Sequence, residues 1–157
     1  MAGRAGLLID TPMPLHLQKL CVGCDSPEEL RAWIEERMAD RRRRGAPEEQ
    51  VHTTRMAPKR AAELLDGGSL YWVIKGVMLV RQPLIDLRQV KGADGIERCE
   101  LVMKPELTAV RPTPRRPFQG WRYLAGHEAP ADLADDERKA PGLPAHLIAE
   151  LRSLGLL

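Results

Sequence analysis

Two thiols three residues apart, Cys21-Val22-Gly23-Cys24, suit both metal capture and dithiol exchange. One such pair is half of a zinc site, and Cys99, His16 or His52 would have to complete it; nothing in their spacing requires that. Thioredoxin-like redox chemistry needs the first thiol at a helix N-terminus, whereas the capping signal here begins after Cys24, and Asp25 opposes thiolate formation. The pair reads as structural thiols in a strand-to-helix turn. A small cytoplasmic metal- or thiol-dependent enzyme using Cys21 and Cys24 is the alternative function. His16, His52, His127 and His146 are scattered and show no partner nucleophile or orienting group. Ser69 follows Gly67-Gly68, but a strand comes next where a nucleophile elbow requires a helix, and the glycine pair is no phosphate loop. No catalytic constellation, metal ligand set or cofactor is assigned.

Two stretches offer binding chemistry instead. His52-Thr53-Thr54-Arg55 with Lys59-Arg60 supplies hydroxyls and cations at a strand-to-helix junction, where free helix amides could also meet an anion. Arg111 to Tyr123 interleaves arginine and proline with Phe118, Trp121 and Tyr123, half of all the Trp, Tyr and Phe in the chain. Guanidinium groups for a phosphate backbone and flat rings for bases are how single strands and unstacked nucleotides are held. The plainer reading makes Trp121 and Phe118 core anchors and the prolines a rigid strap. The Arg41 to Arg44 run sits at a helix C-terminus, where cations are favoured by the dipole and are commonly just solvated.

These groups must be positioned by a scaffold, and its centre is Gly67-Gly68-Ser69-Leu70-Tyr71-Trp72-Val73-Ile74-Lys75-Gly76 with the run continuing to Leu87. Both faces of Leu70 to Lys75 carry apolar residues, which predicts an internal strand. Gly76 marks a bulge or tight connection, Pro83 an edge or a bend, and Gly92-Ala93-Asp94-Gly95 a hairpin turn. Further strands are expected at Leu15 to Val22, Gln50 to Met56, Ile96 to Met103, Leu107 to Val110 and Trp121 to Leu124, with Arg111 to Gly120 irregular. Helices are expected at 26–42, where Ser26 caps and Leu30, Trp33, Ile34 and Met38 form a stripe, at 58–66, with Ala61, Leu64 and Leu65 inward, and at 144–154.

A chain of 157 residues fits a flexible leader at 1–13 and a single domain at 14–157. Lys+Arg 24 against Asp+Glu 22 leaves +2, so attraction to nucleic acid or anionic lipid must come from a local patch. No apolar run approaches the ~20 residues that span a bilayer, and the N-terminus lacks a secretory h-region, which predicts a cytoplasmic protein with no membrane partner. With three cysteines a disulfide scaffold is not expected.

The segments Leu15 to Ser26, His52 to Arg60, Gly67 to Gly76 and Arg115 to Leu124 together resemble an uncharacterised alphaproteobacterial family known as a domain of unknown function, which implies no activity. The basic entry at Arg55 to Arg60, the helix ending in glycine before Tyr71 to Ile74 and the alternating Ile85, Asp86, Leu87 resemble the PUA-like superfamily, including ASCH and EVE domains. That resemblance implies a small barrel with flanking helices that binds RNA or modified bases. The reading is therefore an α+β domain, a mixed or antiparallel barrel-like sheet of five or six strands, acting as a binding module rather than an enzyme. Its partner would be RNA or DNA. Arg55, Lys59, Arg60, Lys75, Arg115, Arg116 and Arg122 are the candidate cations, and Trp72, Trp121 and Tyr123 the candidate stacking residues.

Overall fold

The structure is a computed structural model and describes residues 13–133. All but Met13 of the leader expected at 1–13, and the helix expected at 144–154, lie outside the described residues. The strands are β1 (His16–Leu20), β2 (Gln50–Thr54), β3 (Ser69–Ile74), β4 (Val77–Lys91), β5 (Glu97–Met103), β6 (Thr108–Pro114) and β7 (Trp121–Leu124), with helices α1 (Pro27–Arg43) and α2 (Ala61–Leu64). They form one mixed α+β unit whose seven-stranded sheet has the order β2-β5-β4-β3-β1-β7, with β6 also on β4.

β3 is the internal strand that its two apolar faces demand, and all six of its residues are buried. It pairs parallel with β1, Leu17 opposite Leu70, and antiparallel with β4, Trp72 opposite Val80. Alternation then divides the core. Leu70, Trp72 and Ile74 join Leu17, Leu101, Met103 and the α1 residues Leu30, Ile34 and Met38, while Tyr71 and Val73 join Met78, Val110 and Leu124 on the opposite face. Lys75 (φ 51) and Gly76 (φ 81) make a two-residue turn with both φ positive, the type I′ geometry that matches strand twist in a hairpin. Gly68 is required for a different reason: a Cβ there would lie 2.3 Å from the carbonyl oxygens of Leu15 and Leu64.

β4 is longer than the sequence pattern suggests because Pro83 does not end it. The strand instead changes partners there, its first half lying against β3 and β6 and its second half, from Leu84, against β5. The missing proline N–H falls at the break between β5 and β6, where the Pro83 carbonyl accepts from Lys104 N at 3.0 Å. Around this junction Trp72 Nε1 donates to Gln82 Oε1 at 2.8 Å and Gln82 Nε2 to the Lys104 carbonyl at 2.8 Å.

Two other expectations are corrected. Arg111-Pro112-Thr113-Pro114, expected to be irregular, belongs to β6; the bridge from 131–133 on its outer edge stops at Arg111, so Pro112 and Pro114 fall where that edge has no strand partner among the described residues. The helix expected at 58–66 is a single turn at Ala61–Leu64; Leu64 is buried, whereas Leu65 is exposed rather than inward. α1 begins as its sequence requires, with Ser26 Oγ accepting from Glu29 N at 3.1 Å. It ends at Gly45 (φ 70), with Ala46 N donating to Arg41 O and Gly45 N to Arg42 O, a Schellman motif.

The sheet is not closed into a barrel. It curls so that its two terminal strands, β2 and β7, face each other across an open seam. Although β2 and β3 are not neighbours in the sheet, the His52 ring meets Trp72 edge-on at 5.5 Å. The segment after β2 bridges the seam: Trp121 Nε1 donates to the Met56 carbonyl at 2.7 Å, and Tyr123 Oη accepts from the amides of Lys59 and Arg60 at 2.9 and 3.1 Å. No helix among the described residues is long and apolar enough to cross a membrane.

Candidate nucleic-acid interface

Strand alternation decides which side chains look into the seam. On β1, Leu17 faces the α1-side core, and Lys19 and Cys21 follow it at the same parity. On β2, Gln50, His52 and Thr54 lie opposite Met103, Leu101 and Cys99, the residues of β5 that face the same core. On β7, Trp121 and Tyr123 pack there as an edge-to-face pair at 4.9 Å. The seam is therefore lined from one side by Lys19, Trp121 and Tyr123 and from the other by Gln50, His52 and Thr54.

Two hollows open along it, each about 720 Å³. One lies between β2 and β7 and is lined by Lys19, Thr54, Arg55, Gln119, Trp121 and Tyr123. The other lies between α1 and β2 and is lined by Trp33, Arg37, Gln50 and His52, with Asp40, Arg41, Arg43 and Arg44 on its rim. They meet at Thr53, and His52 stands between Lys19 and Arg37. Together they make a groove along β2.

Its electrostatics are uneven. Burial lowers the Lys19 ammonium from its ordinary value, and no carboxylate pairs with it among the described residues. Burial, then the charges of Lys19 and Arg37, push His52 down to about 4, so its imidazole is neutral at physiological pH. On the rim Arg43 and Arg44 pair with Asp40, Arg42 with Glu48 and Arg88 with Glu49, while Arg41 donates to the Pro47 carbonyl. The four-arginine run is thus largely occupied at the helix end. Lys19, Arg37, Arg41, Arg55 and Arg122 are the groove cations that no carboxylate neutralises among the described residues, Arg41 being held by the Pro47 carbonyl.

The residues singled out from the sequence fall into four groups. Arg55, Trp121 and Tyr123 come together in the groove. Lys59 and Arg60 do not offer free helix amides, because both N–H groups are held by Tyr123 and the Arg60 guanidinium binds Glu63 while lying 5.6 Å over the Tyr123 ring. Trp72 is 3% exposed and Lys75 sits in the β3–β4 turn 3.8 Å from Asp25, so one is scaffold beneath the groove and the other lies in a hairpin turn. Arg115 and Arg116 line a separate hollow of about 480 Å³ with Gln18 and Phe118, on the opposite face of β7, while Arg122 lines both that hollow and the groove, its guanidinium lying 5.6 Å over Phe118. Gln18 Oε1 and Arg115 Nε are buried there without a hydrogen-bond partner among the described residues.

Lys19, Trp33, Arg37 and Gln50 were not singled out. For Lys19 the signal was present, since it continues the Leu15, Leu17 parity onto the core face; for the α1 residues no local signal says which strand their flank will meet.

Cys21 and Cys24 are adjacent but poorly suited to thiolate chemistry. Cys24 Sγ donates to the Ser26 carbonyl at 3.0 Å, and burial, the Cys24 hydrogen bond and nearby negative charge push Cys21 up to about 12. Among the described residues no group of three or more His, Cys, Asp or Glu comes together as a metal would require. In the folded protein at about pH 8, Cys21 is expected to react with iodoacetamide at least tenfold more slowly than in urea, read by mass spectrometry of alkylated peptides. Equal rates would show that the fold does not suppress the thiol, and a faster rate in the folded protein that it is activated.

A mixed α+β domain with a curled, open sheet and a basic, aromatic-lined seam is what these observations define. The chain belongs to the family described as a protein of unknown function, DUF1489, whose model matches residues 17–157. No curated protein and no solved structure matches it.

Proposed function

We propose that the protein binds single-stranded nucleic acid, RNA foremost, along the β2 groove, as a binding module of the PUA-like type. The observation that carries this is the seam between β2 and β7, where half-buried Lys19 and exposed Arg55, neither paired with a carboxylate among the described residues, flank the Trp121–Tyr123 pair. A partly desolvated ammonium with no counter-charge gains by meeting a phosphate, and half-buried rings between cations are where bases stack. Arg122 lines this seam as well as the hollow beyond β7, whereas Arg115 and Arg116 would engage only a strand long enough to round that edge. The same reading takes the protein to be cytoplasmic, where its free thiols at Cys21, Cys24 and Cys99 stay reduced.

A filter-binding salt titration tests it. Wild type is expected to bind single-stranded RNA at about 50 mM salt and weaken steeply towards about 200 mM. Replacing Lys19→Gln and Arg55→Gln together is expected to lower affinity at least tenfold and to reduce the log–log salt slope by about 1.4, the value for two lost contacts on a single strand. No binding by wild type at low salt, or an unchanged slope in the double variant, would remove the groove from this role.

A further inference from the structure

The half of the groove between α1 and β2 is built differently from the half beside β7. We propose that it receives one unstacked nucleobase, whose edge is read by the Gln50 amide and the His52 imidazole; this rests on the groove binding a nucleic-acid strand.

Gln50 is 2% exposed, lines this hollow, and its Oε1 has no hydrogen-bond partner among the described residues. Buried amide oxygens are nearly always satisfied, so an orphan one at a cavity wall is a position prepared for something that enters. His52 follows two residues later on the same face. Trp72 fixes its ring from below, and its nitrogens are not engaged by the described residues. Because the ring is neutral, it presents one donor and one acceptor, and the amide carries both kinds of group as well. Base edges carry donors and acceptors side by side, which is the pattern two such groups can match and a phosphate cannot. Trp33 supplies a half-buried indole on the same wall, and Arg37 a cation with no carboxylate partner among the described residues for the adjoining phosphate. Of the rim carboxylates, Asp40 is bound by Arg43 and Arg44 and Glu49 by Arg88, leaving Glu36 as the remaining acid.

The test compares four single-stranded RNA homopolymers by fluorescence anisotropy with wild type and Gln50→Leu. Wild type is expected to prefer one base by about tenfold or more, the discrimination typical of a paired polar readout. Gln50→Leu is expected to keep the salt slope but to bring the four affinities within about threefold. Its melting temperature should equal or exceed that of wild type, because an orphan polar atom is removed with little change of shape. A wild type without base preference, or a Gln50→Leu variant that retains it, overturns the base pocket while leaving the groove reading intact. Failure of wild type to bind any of the four at low salt overturns the groove reading itself.

Discussion

Trp72→Ala is expected to destabilise the fold by about 3–5 kcal/mol, seen as a lower urea midpoint at an unchanged m-value, or to prevent folding outright. Trp72 is 3% exposed at the centre of the α1-side core, and its indole N–H satisfies Gln82, which is fully buried. Two losses therefore combine: the cavity left by the ring, and an unsatisfied amide oxygen in a place water does not reach. Trp72→Phe separates them, since it keeps most of the ring volume but removes the donor, and about 1–3 kcal/mol is expected for that alone. Gln82→Leu in the Trp72→Phe background should recover part of this loss, because the orphan amide oxygen goes, although the Lys104 carbonyl loses its Gln82 Nε2 donor; an additive double variant would show that the Trp72–Gln82 bond is unimportant. The effect reaches the groove, because Trp72 is the surface on which His52 rests. A candidate stacking residue thus acts as the floor that fixes another residue.

Trp72 also shows what was legible in the chain. Alternation along Leu70 to Ile74 made this an internal strand, and the structure agrees in both faces. The Ser26 cap and the Gly92 to Gly95 turn were legible for the same reason: the chemistry is local and each device sits beside the element it ends. Pro83 was not. Its local signal, a missing donor, is the same whether a strand ends or exchanges partners, and only the positions of β5 and β6 decide. The Arg111 to Pro114 strand was missed because two prolines look irregular unless the bridge on the strand's outer edge is known to stop before them.

The candidate site divides along the same line. Arg55, Trp121 and Tyr123 are far apart in sequence and were grouped by residue type, and the seam brings them together. Arg115 and Arg116 were grouped with Trp121 by proximity along the chain. They line a different hollow, towards which period-2 alternation in β7 turns Arg122, and Arg122 alone of the three also lines the groove. Composition could suggest a strand-binding surface, but it could not say that parallel pairing of β1 with β3 and curling of the sheet would set Lys19 opposite β2.

Acidification from about pH 7 to about pH 4.5 should destabilise this fold before its carboxylates are protonated. His16 is buried on the second face, where Nδ1 accepts from Ser69 N at 2.9 Å and the ring meets Tyr71 at 5.0 Å; burial, then Arg81, push it down to about 4. His52 is held at about 4 by burial and by Lys19 and Arg37. In the unfolded chain both would titrate near the ordinary 6.5. Between those values the unfolded state binds more protons than the native state, so stability rises with pH in that window; it is fully present above about 6.5 and is lost as pH falls towards 4. At full strength this is about 3 kcal/mol per ring, and with solvent screening about 1–2 kcal/mol each is expected. The two sites are separable. Protonating His16 removes the acceptor of a buried backbone N–H beside Arg81, whereas protonating His52 places a third cation between Lys19 and Arg37. His52→Gln should therefore flatten the dependence of the urea midpoint on pH between about 6.5 and 4.5 by roughly half, leaving the His16 part. A bound polyanion should oppose the His52 part alone, since a phosphate at Lys19 or Arg37 favours the imidazolium between them. A urea midpoint independent of pH across this window would show that neither imidazole is held neutral by the fold.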